Sequence, residues 1–375
     1  MPSRIFKFFK LPPTEKRLDI ILLLVTLILI TIGTVMIYSS SSILAMKRFN
    51  DGQFFLKKQI FFVLLGLGIM VLMTKIPYDQ LKKFAYPGIL VSVVLLILLL
   101  IPHVGIRAGG ATRWLKLGVF SFQVTEMVKV SVVLFLAHFL TKKSGHITDF
   151  KRAVLIPLLV ILLIVGLIIL EPDFGTAVII TVIMMLMFCL SGCRIVHLAG
   201  IVALFAPVGI FLLLHKSYRL ARLTTFLDPW KDPQRSGFQI IQSLLSFGSG
   251  GTFGVGIGDG MQKLFYLPEP HTDFILSIIA EESGFIGVVI VLFLFAVLII
   301  KGFMISYKAP DLFSTLLAAG LTMVIALEAF INIAGVMGLI PLKGLALPFV
   351  SYGGTSLIMS LTAVGILLNI SAYEK

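Results

Sequence analysis

Charge is scarce in this 375-residue chain: Asp, Glu, Lys and Arg make up 13% of it, against 58% hydrophobic residues and a mean hydropathy of +1.07. Soluble domains carry about 25% charged and roughly 45–50% apolar residues, so a water-soluble fold is excluded and a polytopic membrane protein is implied. Cysteine is nearly absent. Cys189 and Cys193 are spaced for one helix face, with no second pair to complete a tetrahedral metal site. The six histidines are scattered, which argues against a protein-bound zinc. Internal repeats, heptads and inverted halves are not visible, and no stretch is polar enough for a separate soluble domain. A cleavable signal is also missing: the apolar run after the basic head continues from Ile20 to about Met46, too long for a signal core, and reads as a retained first helix.

What is present is a series of long apolar runs. A span needs about 20 apolar residues, and this rule predicts ten helices, at about 20–46, 56–75, 84–102, 123–141, 153–170, 175–192, 195–215, 273–300, 312–338 and 349–371. An all-α integral membrane protein follows, with a basic tail over 1–18, one membrane domain over 19–372 and a short end over 373–375. Between the seventh and eighth helices lies one long loop, 216–272. An even number of spans puts both termini on one side. Lys and Arg divide almost evenly, 16 on that side and 14 on the other. Six of the 14 belong to the long loop, and long loops report topology poorly. The short basic loops, with Lys142, Lys143, Lys151 and Arg152 in one of them, favour cytoplasmic termini. The cations left on the outer face then require a purpose.

Three outer segments are irregular: "GIRAGGATRWLKLGVFSFQ" at 105–123, the 216–272 loop, and "LIPLKGLALPFVSYGGTS" at 339–356. Their Gly, Pro and aromatic content suggests re-entrant or interfacial structure, tolerated in lipid only where protein or water satisfies the backbone, so an outward-facing cavity is expected. Within the long loop, "SGFQIIQSLLSFG" has the pattern of a short amphipathic helix. The glycine run "GSGGTFGVGIGDG" follows no strand, so it reads as a flexible turn ahead of a phosphate cradle.

Ionisable residues inside spans mark functional cavities. Glu126 and Lys129 lie three apart on one helix face and form either a self-neutralising pair or part of such a cavity. Asp173 in "EPDFGT" reads foremost as a helix cap. Glu328 and Asn332, four apart, read as a buried hydrogen-bonded pair. Glu281 lies about 12 Å along the helix from Asp273 and is placed in the same cavity, whereas Glu282 points elsewhere. Asp273 sits at the water boundary at the start of the eighth span, where a carboxylate is favoured by the helix dipole and stays reachable. Capping and catalysis are equally good explanations of it.

The motifs "RWLKLG…FQVTEMVK", "EPDFGTA", "FLDPWKDPQRSGFQIIQSL", "QKLFYLPEPHTDFILSIIAEESGFIG" and "LKGLALPFVSYGGTSLI" occur in this order between about residues 18 and 371. Together they resemble the SEDS family (shape, elongation, division and sporulation) of bacterial cell-wall proteins. "LDPWKDP" and Lys343 look more like its division-type than its elongation-type members. The resemblance implies a ten-helix peptidoglycan glycosyltransferase that polymerises lipid II beside a class B penicillin-binding transpeptidase and other division proteins, at the septum. It implies that Asp273 of "HTDF" is the essential carboxylate, with Glu126, Lys129, Arg113 and Trp114 at further motif positions and Ser351 and Tyr352 in the "FVSYGG" motif facing substrate. Val124 and Thr125 stand where proline and serine are usual, and Glu328 where glutamine is expected.

The chemistry agrees with this set. Undecaprenyl diphosphate is already a good leaving group, so one carboxylate to take the proton of the attacking hydroxyl suffices, and one displacement inverts the anomeric centre. Charge building on the diphosphate needs cations, and Arg113, Lys116, Lys129, Arg219, Arg222 and Lys263 are the outer supply. His271 and Thr272 are expected to shape the approach to Asp273, and Glu281 to tune the cavity below it. A divalent cation, Mg2+ or Mn2+, is expected to arrive mainly on the substrate diphosphate, because no carboxylate cage is legible; no organic cofactor and no nucleic-acid partner are expected. A lipid II flippase is the first rival, and an ion-coupled transporter using Glu126, Glu281 and Glu328 as a proton relay the second.

Overall fold

The computed structural model describes residues 18–373, apart from 109–110, 118–119, 216, 235–236, 265–266 and 269. The predicted tail and nearly all of the C-terminal end therefore lie outside the described residues. In lipid every backbone polar group must be satisfied within the protein, so the apolar runs become helices. The first, α1, spans Ile20–Phe49; Asp19 caps it by accepting from the Leu22 amide at 2.9 Å, and Asn50 ends it in the left-handed conformation. Then come α2 (Phe54–Lys75), α3 (Tyr78–Leu81) and α4 (Ala85–Leu100). A small sheet, β1 (Gly105–Ala108), β2 (Ala111–Leu117) and β3 (Phe120–Gln123), leads into α5 (Val124–Lys142), α6 (Leu155–Leu170), α7 (Phe174–Leu190) and α8 (Ile195–His215). The long loop contains α9 (Ser217–Leu227) and α10 (Phe238–Gly250), and the chain closes with α11 (Ile275–Lys308), α12 (Leu312–Val336) and α13 (Gly354–Ser371).

Among the described residues eight helices are long and apolar enough to cross a bilayer, α3 and α4 counting as one, while α7 and residues 195–211 of α8 are apolar but shorter. The ten predicted segments fall on these ten in order, and the chain is a multi-pass membrane protein. Burial separates centre from rim. Helices α5, α12 and α13 are mostly buried, whereas α2 and α4 turn most of their surface outward.

Two irregular segments differ from expectation. The first, read as re-entrant or interfacial, is built of strands: β1, β2 and β3 form an antiparallel three-stranded sheet, ordered β1-β2-β3, with Trp114 opposite Gln123 and Leu117 opposite Phe120. Aromatic and β-branched residues favour the pleated form, and pairing among the strands satisfies backbone that would otherwise be bare at the membrane surface. The sheet is tied to α13 where the Gln123 amide donates to Thr355 Oγ1 at 3.2 Å. Helix α5 starts directly after it, at Val124, without the expected proline.

The glycine run is neither a free turn nor a phosphate cradle. Helix α11 breaks at Gly284, whose φ of 66° and ψ of −165° are not helical. The groups freed by the break pair with the glycine segment: Val255 N and Gly256 N donate to the Glu281 and Glu282 carbonyls at 3.0 and 3.1 Å, and Phe285 N donates to Gly251 O at 2.9 Å. Such pairing meets the requirement that buried backbone groups be satisfied. Helix α10 forms as predicted and packs against α11, where Ser243 Oγ lies 2.7 Å from Ser277 Oγ.

Candidate active site

A cavity of about 600 Å3 sits at the end of the bundle that carries the sheet, α9 and α10. Its walls come from α9, α10, the turn before α11, the end of α12 and the segment after it; Arg222, Thr225, Gln239, Asp273, Asn332 and Lys343 supply polar groups. Asp273 is half-buried. The cap position of α11 is Phe274, so Asp273 lies in the preceding turn, with its carboxylate toward the segment 342–345. There Gly344 has φ +63°, and a Cβ on it would stand 3.0 Å from Asp273 Oδ2. Glycine suits the left-handed backbone here, and a larger residue would also press on the carboxylate.

Lys343 stands out in the sequence only as a marker of subtype, yet it lines the cavity together with Asp273. Its ammonium donates to the Gly175 carbonyl at the start of α7. Burial pulls its pKa down to about 7; Asp173 opposes that shift and Lys129 adds to it. Asp173 caps α7, accepting from Thr176 N at 3.2 Å and Thr176 Oγ1 at 2.8 Å, as predicted. The same carboxylate also forms an ion pair, because Arg113 Nε on β2 lies 3.2 Å from Asp173 Oδ2. Arg113 and Lys343 are thus held near one carboxylate. Glu171, in the same turn, is 1% exposed with neither carboxylate oxygen hydrogen-bonded, and burial pushes its pKa up to about 8.

Glu126 and Lys129 do pair, at 2.8 Å, but as two members of a buried triad, since Lys129 also bonds Glu328 on α12. The expected Glu328–Asn332 pair is therefore not formed. One helical turn beyond Glu328, about 6 Å, the Asn332 amide donates instead to the Asp273 and Leu345 carbonyls, at 2.9 and 2.6 Å. Only the fold reveals this, because the partners are backbone atoms of distant segments.

The other predicted residues divide. Arg222 is exposed and on the cavity wall. Arg219 belongs to α9, but its side chain lies outside the described residues. Lys116 is exposed and Trp114 half-buried on β2, and neither lines the cavity. Lys263 is not brought to the cavity; it is buried in an ion pair with Glu282 at 2.6 Å and donates to Ser39 Oγ at 3.1 Å. Nor does Glu281 line it: its carboxylate accepts from the Met261 and Gln262 amides at 2.8 and 3.2 Å and so fixes the 261–262 backbone. His271 is buried against the rings of Phe55 and Tyr352, 4.4 and 5.5 Å away, and burial lowers its pKa to about 4, so it is neutral at pH 7. Thr272 and Ser351 meet through the Thr272 carbonyl, which accepts from Ser351 Oγ at 2.6 Å. Tyr352 N donates to His271 O at 2.9 Å. Among the described residues no three His, Cys, Asp or Glu side chains converge on a metal position.

The chain as a whole, including the segments that line this cavity, is similar to known proteins. A family model described as cell cycle protein, covering FtsW, RodA and SpoVE, matches residues 19–375. The probable peptidoglycan glycosyltransferase FtsW of Trichlorobacter lovleyi is 44% identical over 358 residues, 95% of this chain and 94% of that protein. Stage V sporulation protein E of Bacillus subtilis is 43% identical over 360 residues, 95% and 98% of the two chains. Among solved structures, a chain of a peptidoglycan synthase complex that coordinates polymerisation and crosslinking superposes with a TM-score of 0.78 at 30% identity, over 96% of this chain and 99% of that one. The rod shape determining protein RodA of Thermus thermophilus gives 0.71 at 27% identity, over 96% and 98%. The matches run through every element that builds the cavity, and the chain belongs to the FtsW/RodA/SpoVE family of cell cycle proteins.

Proposed function

We propose that this protein is a peptidoglycan glycosyltransferase that polymerises lipid II in the bacterial cytoplasmic membrane, with the cavity end outward and both termini cytoplasmic. The observation that carries the reading is the shared wall: Asp273, Lys343 and Arg222 line one space of about 600 Å3. Asp273 takes the proton from the acceptor sugar's 4-hydroxyl as its oxygen attacks the anomeric carbon of the donor. The bond to diphosphate breaks on the opposite side, so the configuration inverts. Negative charge grows on the departing diphosphate, and Lys343 opposes it in a partly desolvated cleft, while the exposed Arg222 on the wall draws the anionic substrate in. A divalent cation held through the substrate diphosphate would add positive charge beside Lys343. The resemblance to a peptidoglycan synthase complex supports a penicillin-binding transpeptidase as partner, and the high identity to division-type relatives supports a role at the septum.

A proton-relay transporter is disfavoured by Glu281, whose carboxylate is consumed by backbone amides, and by Glu328, which is tied to Lys129. The test is polymerisation of lipid II by the purified protein with its transpeptidase. Asp273→Asn, which cannot accept the hydroxyl proton, is expected to lower the rate about 100-fold or more while expression and complex formation persist. Polymer made at the wild-type rate by that variant refutes the assignment. Lipid scrambling in sealed vesicles that survives Asp273→Asn but depends on Arg222 points to a flippase instead.

A further inference from the structure

The turn that carries Asp273 is gripped at three consecutive carbonyls. His271 O accepts from Tyr352 N at 2.9 Å, Thr272 O from Ser351 Oγ at 2.6 Å, and Asp273 O from Asn332 Nδ2 at 2.9 Å. The donors lie 59 to 81 residues away in sequence, on α12 and on the segment before α13. Asn332 does more than hold one strand. Its second N–H reaches Leu345 O at 2.6 Å, two residues beyond Lys343. One side-chain amide, 5% exposed, therefore spans the segment of the carboxylate and the segment of the cation. Gly344 lies between them, against the carboxylate.

We infer that Asn332 is a positioning residue that sets the distance between Asp273 and Lys343, with Ser351 as its neighbour in the same clamp. The turn lies outside regular secondary structure and these three bonds tie its carbonyls to distant segments, and a displacement of about 1 Å at a reacting group costs on the order of 100-fold in rate. Lys343 keeps its bond to the Gly175 carbonyl and Arg222 its place on α9 when the amide is lost, so it is the turn of Asp273 that shifts. The rate constant is therefore the quantity that suffers, and the concentration for half-maximal rate is not. This inference rests on Asp273 being the base.

The test compares Asn332→Leu, Asn332→Asp, Ser351→Ala and Asp273→Asn in the polymerisation assay, each as the full chain with its transpeptidase, with thermal melting in detergent alongside. Asn332→Leu and Asn332→Asp both remove the two N–H donors. They are expected to lower kcat roughly 10- to 100-fold with KM within about threefold of wild type; Asn332→Asp, which also buries a carboxylate against two carbonyls, should melt below Asn332→Leu. Wild-type kcat in a folded Asn332 variant, with Asp273→Asn inactive, overturns the clamp and leaves the base assignment standing. An active Asp273→Asn overturns the base assignment, and with it the clamp. Where the Asn332 variants fail to fold, Ser351→Ala decides: kcat loss at constant KM supports the clamp, and unchanged kcat overturns it.

Discussion

Two carboxylates share one ammonium in the interior of this protein, and that stoichiometry makes a signed prediction. Lys129 is 2% exposed, Glu126 lies 2.8 Å from its nitrogen, and Glu328 bonds the same nitrogen from α12. With all three ionised the group carries one net negative charge in a low-dielectric region. Lys129→Met leaves two uncompensated buried carboxylates, a change that costs about 3–5 kcal/mol. Glu328→Gln does the opposite. It removes the surplus charge, leaves the Lys129–Glu126 pair intact and keeps a side chain of nearly the same size, so stability should stay within about 1 kcal/mol of wild type or rise. The double variant Glu126→Gln with Lys129→Met still strands Glu328 and should remain destabilised; only the triple variant with Glu328→Gln should recover. Thermal melting of purified protein in detergent reads all four. At roughly 2 °C per kcal/mol for a chain this large, Lys129→Met should melt about 5–10 °C low and Glu328→Gln should not. Equal losses in Lys129→Met and Glu328→Gln would refute the charge argument and make the triad a packing or hydrogen-bond unit in which each member counts alike.

Lys343 should make substrate affinity depend on pH. Its pKa of about 7 in the empty cavity must rise when an anionic diphosphate arrives, so binding takes up a proton, and KM should climb as pH rises above 7, by up to about tenfold per unit. Lys343→Arg, charged throughout, should abolish that climb; an identical KM profile from pH 6.5 to 8.5 in both proteins would rule the linkage out. Arg222, exposed on the cavity wall, should act mainly in binding. Arg222→Ala is expected to raise KM several-fold more than it lowers kcat, and a pure kcat defect would place it at the reacting diphosphate instead.

The membrane class, the positions of the ten apolar helices and the candidacy of Asp273 are properties of local sequence. Hydrophobic length alone forces a helix in lipid, and a carboxylate at the edge of such a run is conspicuous wherever it folds. The amphipathic α10 and the Asp173 cap are local too, each set by residues within a few positions of one another. The sheet of β1 to β3 was legible in principle, because aromatic and β-branched residues interrupted by glycine are a hairpin signal; the Gly, Pro and aromatic content pointed only to re-entrant or interfacial structure. What no local pattern carries is the partner of each polar group. Glu281 and Lys263 look like site residues on a line of text, but one is taken by the amides of 261–262 and the other by Glu282. Lys343 and Asn332 look incidental, yet the packing of α12 and the 339–353 segment against the turn before α11 brings Lys343 into the cavity of Asp273 and Asn332 to the Asp273 carbonyl. A buried charge or amide is assigned its role by whichever complementary group lies within about 3 Å. In this bundle those groups come from segments as far as 295 residues apart, as for the Asn369 amide and the Thr74 carbonyl, so only the tertiary structure decides them.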